Sequence, residues 1–394
     1  VTAETPTRHA GAIPLWRDVR VLRIVAQVAV IGAVGLLAAW MVGNMLSAMA
    51  GRGLGFGFSF LGRQAGFEIS ETPIPYSATS TYAQAFLVGL LNTVFVSLVG
   101  IVLATILGIL VGVARLSQNW LLRTISGAYV EVIRNTPLLV QLFFIYFTFI
   151  QLPSVADSLR LGDLGFLNQR GAFVPAPQAT GGFVPWLGFI VAGVLAAGAG
   201  RALAHQREER GLDAMRLRTI GLLALAALPV VGWFAVGGAP LTFELPVAQR
   251  FNIVGGLSLS PEFSALLLGL VVYTAAFIGE VVRGGIQAVR KGQLEAARAL
   301  GLSEGQVLRL VIFPQALRII VPPLTSQYLN LTKNSSLAVA IGYPDLFKVG
   351  QTMSNQTGQP VAVMILVMGT YLAISLVTSL VMNLYNRRVQ VVER

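Results

Sequence analysis

Between Gly279 and Leu324 the chain reads GEVVRGGIQAVRKGQLEAARALGLSEGQVLRLVIFPQALRIIVPPL. Its residue types suit recognition of another surface. Ala296, Ala297 and Gly301 permit close backbone approach, and Glu295 and Arg298 are placed to orient a partner at the rim. The run Gln293–Leu300 is a strong helix former, and Gly301 is placed to end it as a C′ glycine. Ser303 and Gln306 then form a capping box for a second helix, on which Val307, Leu308, Leu310 and Val311 make an apolar stripe. Pro314, Pro322 and Pro323 are expected to stop that helix and redirect the chain. The pattern predicts two short helices with a sharp turn. Such a pair either lies in the headgroup layer or inserts as a knob into a cytoplasmic partner.

Elsewhere, chemistry-bearing residues are sparse. Lys333 is the one basic residue deep in an apolar stretch. A charge there faces protein or water, where it senses a carboxylate or, the favoured reading, bonds helix-end carbonyls or a partner's acid. Glu280 and Arg283 are three apart on one helix face and are expected to pair. A polar path through the chain needs side chains that donate and accept hydrogen bonds. Asn92, Thr93, Gln141, Tyr146, Gln327 and Asn330 are the candidates, with Lys333, although each is also suited to interhelical bonding. Paired carboxylates, a nucleophile–base constellation and a Gly-x4-Gly-Lys-Ser/Thr loop are missing from the sequence, so no catalytic residue is expected. With no cysteine, and with His9 and His205 far apart, no metal site is expected either.

The elements that must position these residues follow from composition. The chain is 55% hydrophobic and 11% charged, with mean hydropathy +0.73. A soluble domain is usually about 25% charged. Eight segments are charge-free enough to cross about 30 Å of hydrocarbon. They are Ile24–Gly51, Thr72–Ala114, Asn135–Ala156, Gly171–Gly200, Thr219–Phe243, Phe263–Gly279, Ile319–Pro344 (broken by Lys333) and Gly350–Asn386. Backbone groups in lipid must bond within the segment, so all are expected to be helices. The proline pair Pro322–Pro323 suggests a seventh helix that starts late or bends. Gly32–Gly35 and Gly108-x-x-x-Gly112 permit close helix packing.

Net charge is +11, but it is scattered between apolar runs rather than gathered on a nucleic-acid face. Most basic residues cluster at 8–23, 115–134, 201–218, 283–318 and 387–394, whereas Arg52, Arg63, Arg160, Arg170, Arg250 and Lys348 stand apart. With eight crossings every basic cluster falls on one side, which is the cytoplasm, and both termini join it. The long stretches 51–80, 151–182 and 238–262 read as periplasmic connections.

The spacing Glu295-Ala296-Ala297, Gly301, then Val311-Ile312-Phe313-Pro314 resembles the EAA signature of ATP-binding-cassette importer permeases, with Val-Ile-Phe-Pro in place of the usual Ile-x-Leu-Pro ending. Glu131–Gln141, Gly279–Ile286 with Gly292-Gln293, and Lys333–Leu337 look like motifs of the polar amino-acid permeases. The enlarged build is similar to the broad-specificity L-amino-acid system. The resemblance implies an all-α, polytopic membrane helix bundle of about eight transmembrane helices with a five-helix type I importer core in the bacterial inner membrane. It implies an N-terminal extension at 1–82, a core at 83–150 and 263–394, and an insertion with two extra spans at 151–262. Glu295, Ala296, Ala297, Arg298, Gly301, Leu302 and Pro314 would then dock a cytosolic ATPase. The implied partners are two such ATPases, which bind ATP and Mg, a second and unlike permease, and a periplasmic amino-acid-binding protein; no nucleic acid is expected. The alternative is a secondary transporter driven by an ion gradient, a class that usually shows buried carboxylates on broken helices.

Overall fold

The computed structural model describes residues 18–51, 57–162, 164–210, 212, 215–249 and 252–389. Arg8, His9, Arg17, Arg52, Arg250 and Arg394, used above in the charge and metal readings, lie outside the described residues. Helix dominates, as a chain in lipid requires. The helices are α1 (Val19–Gly51), α2 (Tyr82–Ala114), α3 (Trp120–Asn135), α4 (Leu138–Ile150), α5 (Phe183–Glu209), α6 (Met215–Ala235) and α7 (Pro261–Gln287). They continue with α8 (Lys291–Ala299), the single turn α9 (Glu304–Gln306), α10 (Phe313–Asn334), α11 (Leu346–Thr357) and α12 (Pro360–Val389). Among the described residues seven helical stretches are long and apolar enough to cross a membrane, and eight crossings result if α3 and α4 count as one.

The third expected span, Asn135–Ala156, holds only α4, and α3 precedes it in the basic stretch 115–134. α3 and α4 meet at 107°, and α4 alone has 13 residues, about 20 Å at 1.5 Å per residue. The break has a local cause. Pro137 pushes the residue before it out of the helical region, and Thr136 is extended at φ −105, ψ 132. Gln141 Nε2 then donates to the Ile133 and Thr136 carbonyls at 2.9 and 3.0 Å, satisfying acceptors that the break leaves open.

The prolines at 314, 322 and 323 do not stop the helix, contrary to expectation. A helical path runs from Glu304 to Ala340, so the seventh span starts early. Its segment Val307–Ile312 is π-helical, and the Phe313 N–H donates to the Leu308 carbonyl five residues back. That wider turn shifts the bonding register just before Pro314, which has no N–H to give.

The connections flanking α5 and α6 hold short antiparallel strands. Before α5 come β1 (Leu159–Arg160), β2 (Phe166–Asn168), β3 (Gly171–Val174) and β4 (Ala176–Ala179). After α6 come β5 (Leu241–Glu244), β6 (Val247–Ala248), β7 (Ile253–Val254) and β8 (Leu257–Leu259). β8 joins the sheet β1-β2-β3-β8, and β4 pairs with β5, so the two ends of the helical hairpin α5–α6 are tied together. Val155, Phe173 and Ile253 form a small buried cluster here. Strands of two to four residues are too short for alternation to show in sequence.

The chain forms two compact units. One comprises Val1–Val88 and Val349–Leu372. In it Phe60 is fully buried, 6.0 Å from the Tyr82 ring, and the Tyr82 hydroxyl donates to Gln356 Oε1 at 3.2 Å. The other comprises Gly89–Lys348 and Ala373–Arg394. Its core surrounds α7, where Leu266, Leu270 and Ile278 pack with Val96, Leu142 and Leu331. The expected glycine pair works here: a Cβ on Gly108 would lie 2.5 Å from Ile278, and one on Gly112 2.7 Å from the Gly279 carbonyl. Gly32 and Gly35 of α1, by contrast, have nothing within 4 Å.

Candidate functional site

The EAA-like stretch folds into a rigid turn. α8 ends in a Schellman arrangement: the Gly301 N–H donates to the Arg298 carbonyl at 2.9 Å, and the Leu302 N–H to the Ala297 carbonyl at 3.3 Å. Gly301 has φ +76, a conformation that glycine adopts at no steric cost. The capping box is present, with the Ser303 N–H donating to Gln306 Oε1 at 2.9 Å. Arg298 closes the turn. Its Nε and Nη2 donate to the two oxygens of Glu304 at 2.9 and 3.2 Å, and this hydrogen bond holds the guanidinium above its usual pKa. Arg298, expected to orient a partner at the rim, also clasps its own chain across Gly301, with its side chain 53% exposed.

Burial sorts the remaining docking candidates. Ala297 is buried and Leu294 packs on the core. Glu295, Ala296, Gly301 and Pro314 are exposed and Leu302 is half-buried. Leu300 is 81% exposed. It was missed in the sequence because it reads there as an ordinary apolar helix residue. Held out on the turn, it presents apolar surface that nothing among the described residues covers.

Glu280 does pair with Arg283, but it also binds a residue that spacing could not find. Arg115, just past the end of α2, bonds Glu280 Oε2, while Arg283 Nε donates to both oxygens at 3.2 Å. The three side chains are 18–28% exposed. One carboxylate thus joins α2 to the end of α7, four residues before α8. Glu280→Ala leaves two facing arginines unpaired. It is expected to cost about 2–3 kcal/mol, less than the full cost for a buried pair, read as a lower melting midpoint of the purified complex. An unchanged midpoint would contradict the structural role.

The path candidates divide into two sets. Asn92, Thr93, Gln141 and Tyr146 are engaged in the fold. Asn92 Nδ2 donates to the Pro344 carbonyl at 2.9 Å, Thr93 Oγ1 accepts from the Leu346 N–H at 2.9 Å, and the Tyr146 hydroxyl donates to Glu262 at 3.1 Å. Gln141 serves the α3–α4 break. Gln327 and Asn330 instead line a cavity of about 290 Å³ with Tyr273, Thr274, Phe277 and Asn334. Hydroxyl and carboxamide groups both donate and accept hydrogen bonds. On the Phe277 side a second cavity of about 220 Å³ is lined by Val130, Glu131, Arg134 and Asn135, and the Arg134 guanidinium lies 5.1 Å from the Phe277 ring centre. Lys333 is exposed and lines neither cavity. Among the described residues no cluster of three His, Cys, Asp or Glu could hold a metal.

Comparison with known proteins places this geometry in a family. Residues 215–391 match the model of the binding-protein-dependent transport system inner membrane component. The putative amino-acid ABC transporter permease protein YhdX of Escherichia coli is 47% identical over 94% of this chain and 94% of its own length. The general L-amino acid transport system permease protein AapQ of Rhizobium johnstonii is 46% identical, over 90% of this chain and 89% of its own. The glutamate/glutamine/aspartate/asparagine transport system permease protein BztB of Rhodobacter capsulatus is 39% identical, over 90% of each. Relatives at this identity and coverage set aside the ion-gradient alternative. The chain belongs to the binding-protein-dependent transport system inner membrane components, and within them it is a permease subunit of an amino-acid ABC importer.

Proposed function

We propose that this permease serves a broad-specificity importer of polar L-amino acids and is driven through its α8 turn by cytosolic ATPases. Two ATPases bind ATP and Mg, a second and unlike permease completes the path, and a periplasmic binding protein delivers the substrate. Both termini and the α8 turn lie on the cytoplasmic side of the inner membrane. The relatives named for general L-amino acids and for glutamate, glutamine, aspartate and asparagine support the substrate class. The mixed donor and acceptor lining around Gln327 and Asn330 agrees with it. In this reading 1–82 is an N-terminal extension, 83–150 and 263–394 form the core, and 151–262 is an insertion carrying α5 and α6.

The observation that carries the reading is mechanical. The helix that begins at Glu304, inside the Arg298 clasp, runs without interruption to the residues of the cavity. Gln327 lies roughly 35 Å along it, at 1.5 Å per residue. A partner that grips Glu295, Ala296 and Leu300 therefore moves a lever whose far part carries Gln327 and Asn330. ATP acts by shifting the population of two positions of that lever, as far as the ATPase dimer binds them differently.

The test uses the lack of cysteine in the chain. Ala296→Cys gives a single thiol on the exposed face of α8. In the assembled transporter, a short bifunctional thiol reagent is expected to join it to a cysteine introduced on the ATPase, with a yield that changes on ATP binding. Cross-linking to no ATPase position, with the thiol reacting with lipid-soluble reagents alone, overturns the docking reading.

A further inference from the structure

The α5–α6 hairpin contains a further cavity, separate from the two described above. It measures about 530 Å³ and is lined by Ala197, Gly198, Arg201, Arg218, Leu222 and Leu225. The two helices pack chiefly against each other, with backbones almost touching: a Cβ on Gly200 would meet the Leu217 carbonyl at 2.8 Å. Their outer faces are bare, with Leu195, Ile220, Leu222 and Leu223 each more than 60% exposed. Little of α5 or α6 is buried among the described residues, which leaves their outer faces open to lipid.

Depth fixes the chemistry. Arg201 directly follows the charge-free stretch Phe183–Gly200, and Arg218 directly precedes the charge-free stretch Thr219–Ala235. Each stretch is roughly 26 Å long at 1.5 Å per residue, close to the hydrocarbon thickness. The two arginines therefore share one level, at the edge of the hydrocarbon, where lipid phosphates lie. Arg218 shares its charge with Glu208 at 2.7 Å; Arg201 makes no ion pair among the described residues. We propose that this cavity binds an anionic phospholipid. Arg201 and Arg218 hold its phosphate, and an acyl chain runs down Leu222 and Leu225. Basic pockets between spanning helices suit such headgroups, and arginine matches phosphate oxygens in a fork.

The test is native mass spectrometry of the detergent-purified transporter, incubated with phosphatidylglycerol or with phosphatidylcholine of the same chains. The wild type is expected to retain phosphatidylglycerol in preference by about tenfold or more, the ratio that two cationic contacts supply. Arg201→Gln with Arg218→Gln should abolish the preference, whereas Arg207→Gln with Arg210→Gln, which removes the same charge outside the lining, should keep it. Arg201→Lys with Arg218→Lys should retain much of it, which separates binding from folding. Equal retention of both lipids by the wild type overturns the proposal. So does equal loss in the Arg207/Arg210 control, or displacement of the lipid by millimolar inorganic phosphate, which marks a free-anion site. If the glutamine pair instead lowers co-purification of the second permease and leaves lipid retention unchanged, the cavity is a subunit contact and the proposal fails. Should the glutamine pair not assemble, the two single glutamine variants decide between the same outcomes.

Discussion

Gly301→Asp, reconstituted with the full set of partner subunits, is expected to lose ATP-driven amino-acid uptake at least tenfold while the chain still inserts and folds. ATP hydrolysis should persist without stimulation by the loaded binding protein. The reason lies in what surrounds Gly301. Its φ of +76 strains an ordinary side chain, but Asp is among the residues that tolerate this region. A Cβ there meets nothing within 4 Å of its own chain, so the fold has room for the change. If an ATPase docks on this turn as proposed, the new carboxylate fills space that the partner needs beside the Arg298–Glu304 clasp. Gly301→Asn, without the charge, separates bulk from electrostatics. Gly301→Val also strains the turn itself, by about 1–2 kcal/mol, and so mixes the two causes. If uptake and stimulation both survive Gly301→Asp, the turn does not dock a motor.

That turn was legible in the sequence because every signal in it is local. A helix former, a C′ glycine and a capping box act within a few residues, and all three were found where spacing put them. The fate of Arg298 was less legible. Its pairing with Glu304 depends on how tightly Gly301 folds the chain back, which spacing does not give. Pro314 misled for a related reason. A proline interrupts an α-helical bond, but a π-helical turn shifts the register and carries the helix past it. Arg115 on Glu280 is a long-range pairing, fixed by how α2 packs on α7. The path candidates show the same limit: composition could name Asn92 and Asn330 alike, and only packing separates the one bonded to the Pro344 carbonyl from the one lining a cavity. The small strands around α5 and α6 left no pattern, being shorter than the period that reveals them.

That packing of α2 on α7 gives the second large effect. Gly112→Val is expected to prevent assembly of a stable complex, while Gly188→Val leaves it intact. Both exchange a helical glycine for the same residue, so intrinsic propensity cancels between them. Their surroundings differ. At Gly188 a Cβ meets nothing within 4 Å; at Gly112 it lies 2.7 Å from the Gly279 carbonyl and 2.8 Å from the Val282 Cβ. The carbonyl belongs to the backbone of α7 and cannot rotate away, so the helices must separate. Separation costs more than the local overlap, which overpacking alone puts at about 1–3 kcal/mol. It also draws Arg115 away from Glu280 and leaves that carboxylate and its second arginine short of a charge. In lipid no hydrophobic force returns the helices, because the chains around them are as apolar as the interface; close packing and polar contacts carry the association. Size-exclusion profiles and melting midpoints of the two variants, purified alike, measure the difference. Equal assembly of both would mean that α2 and α7 are not held together at Gly112.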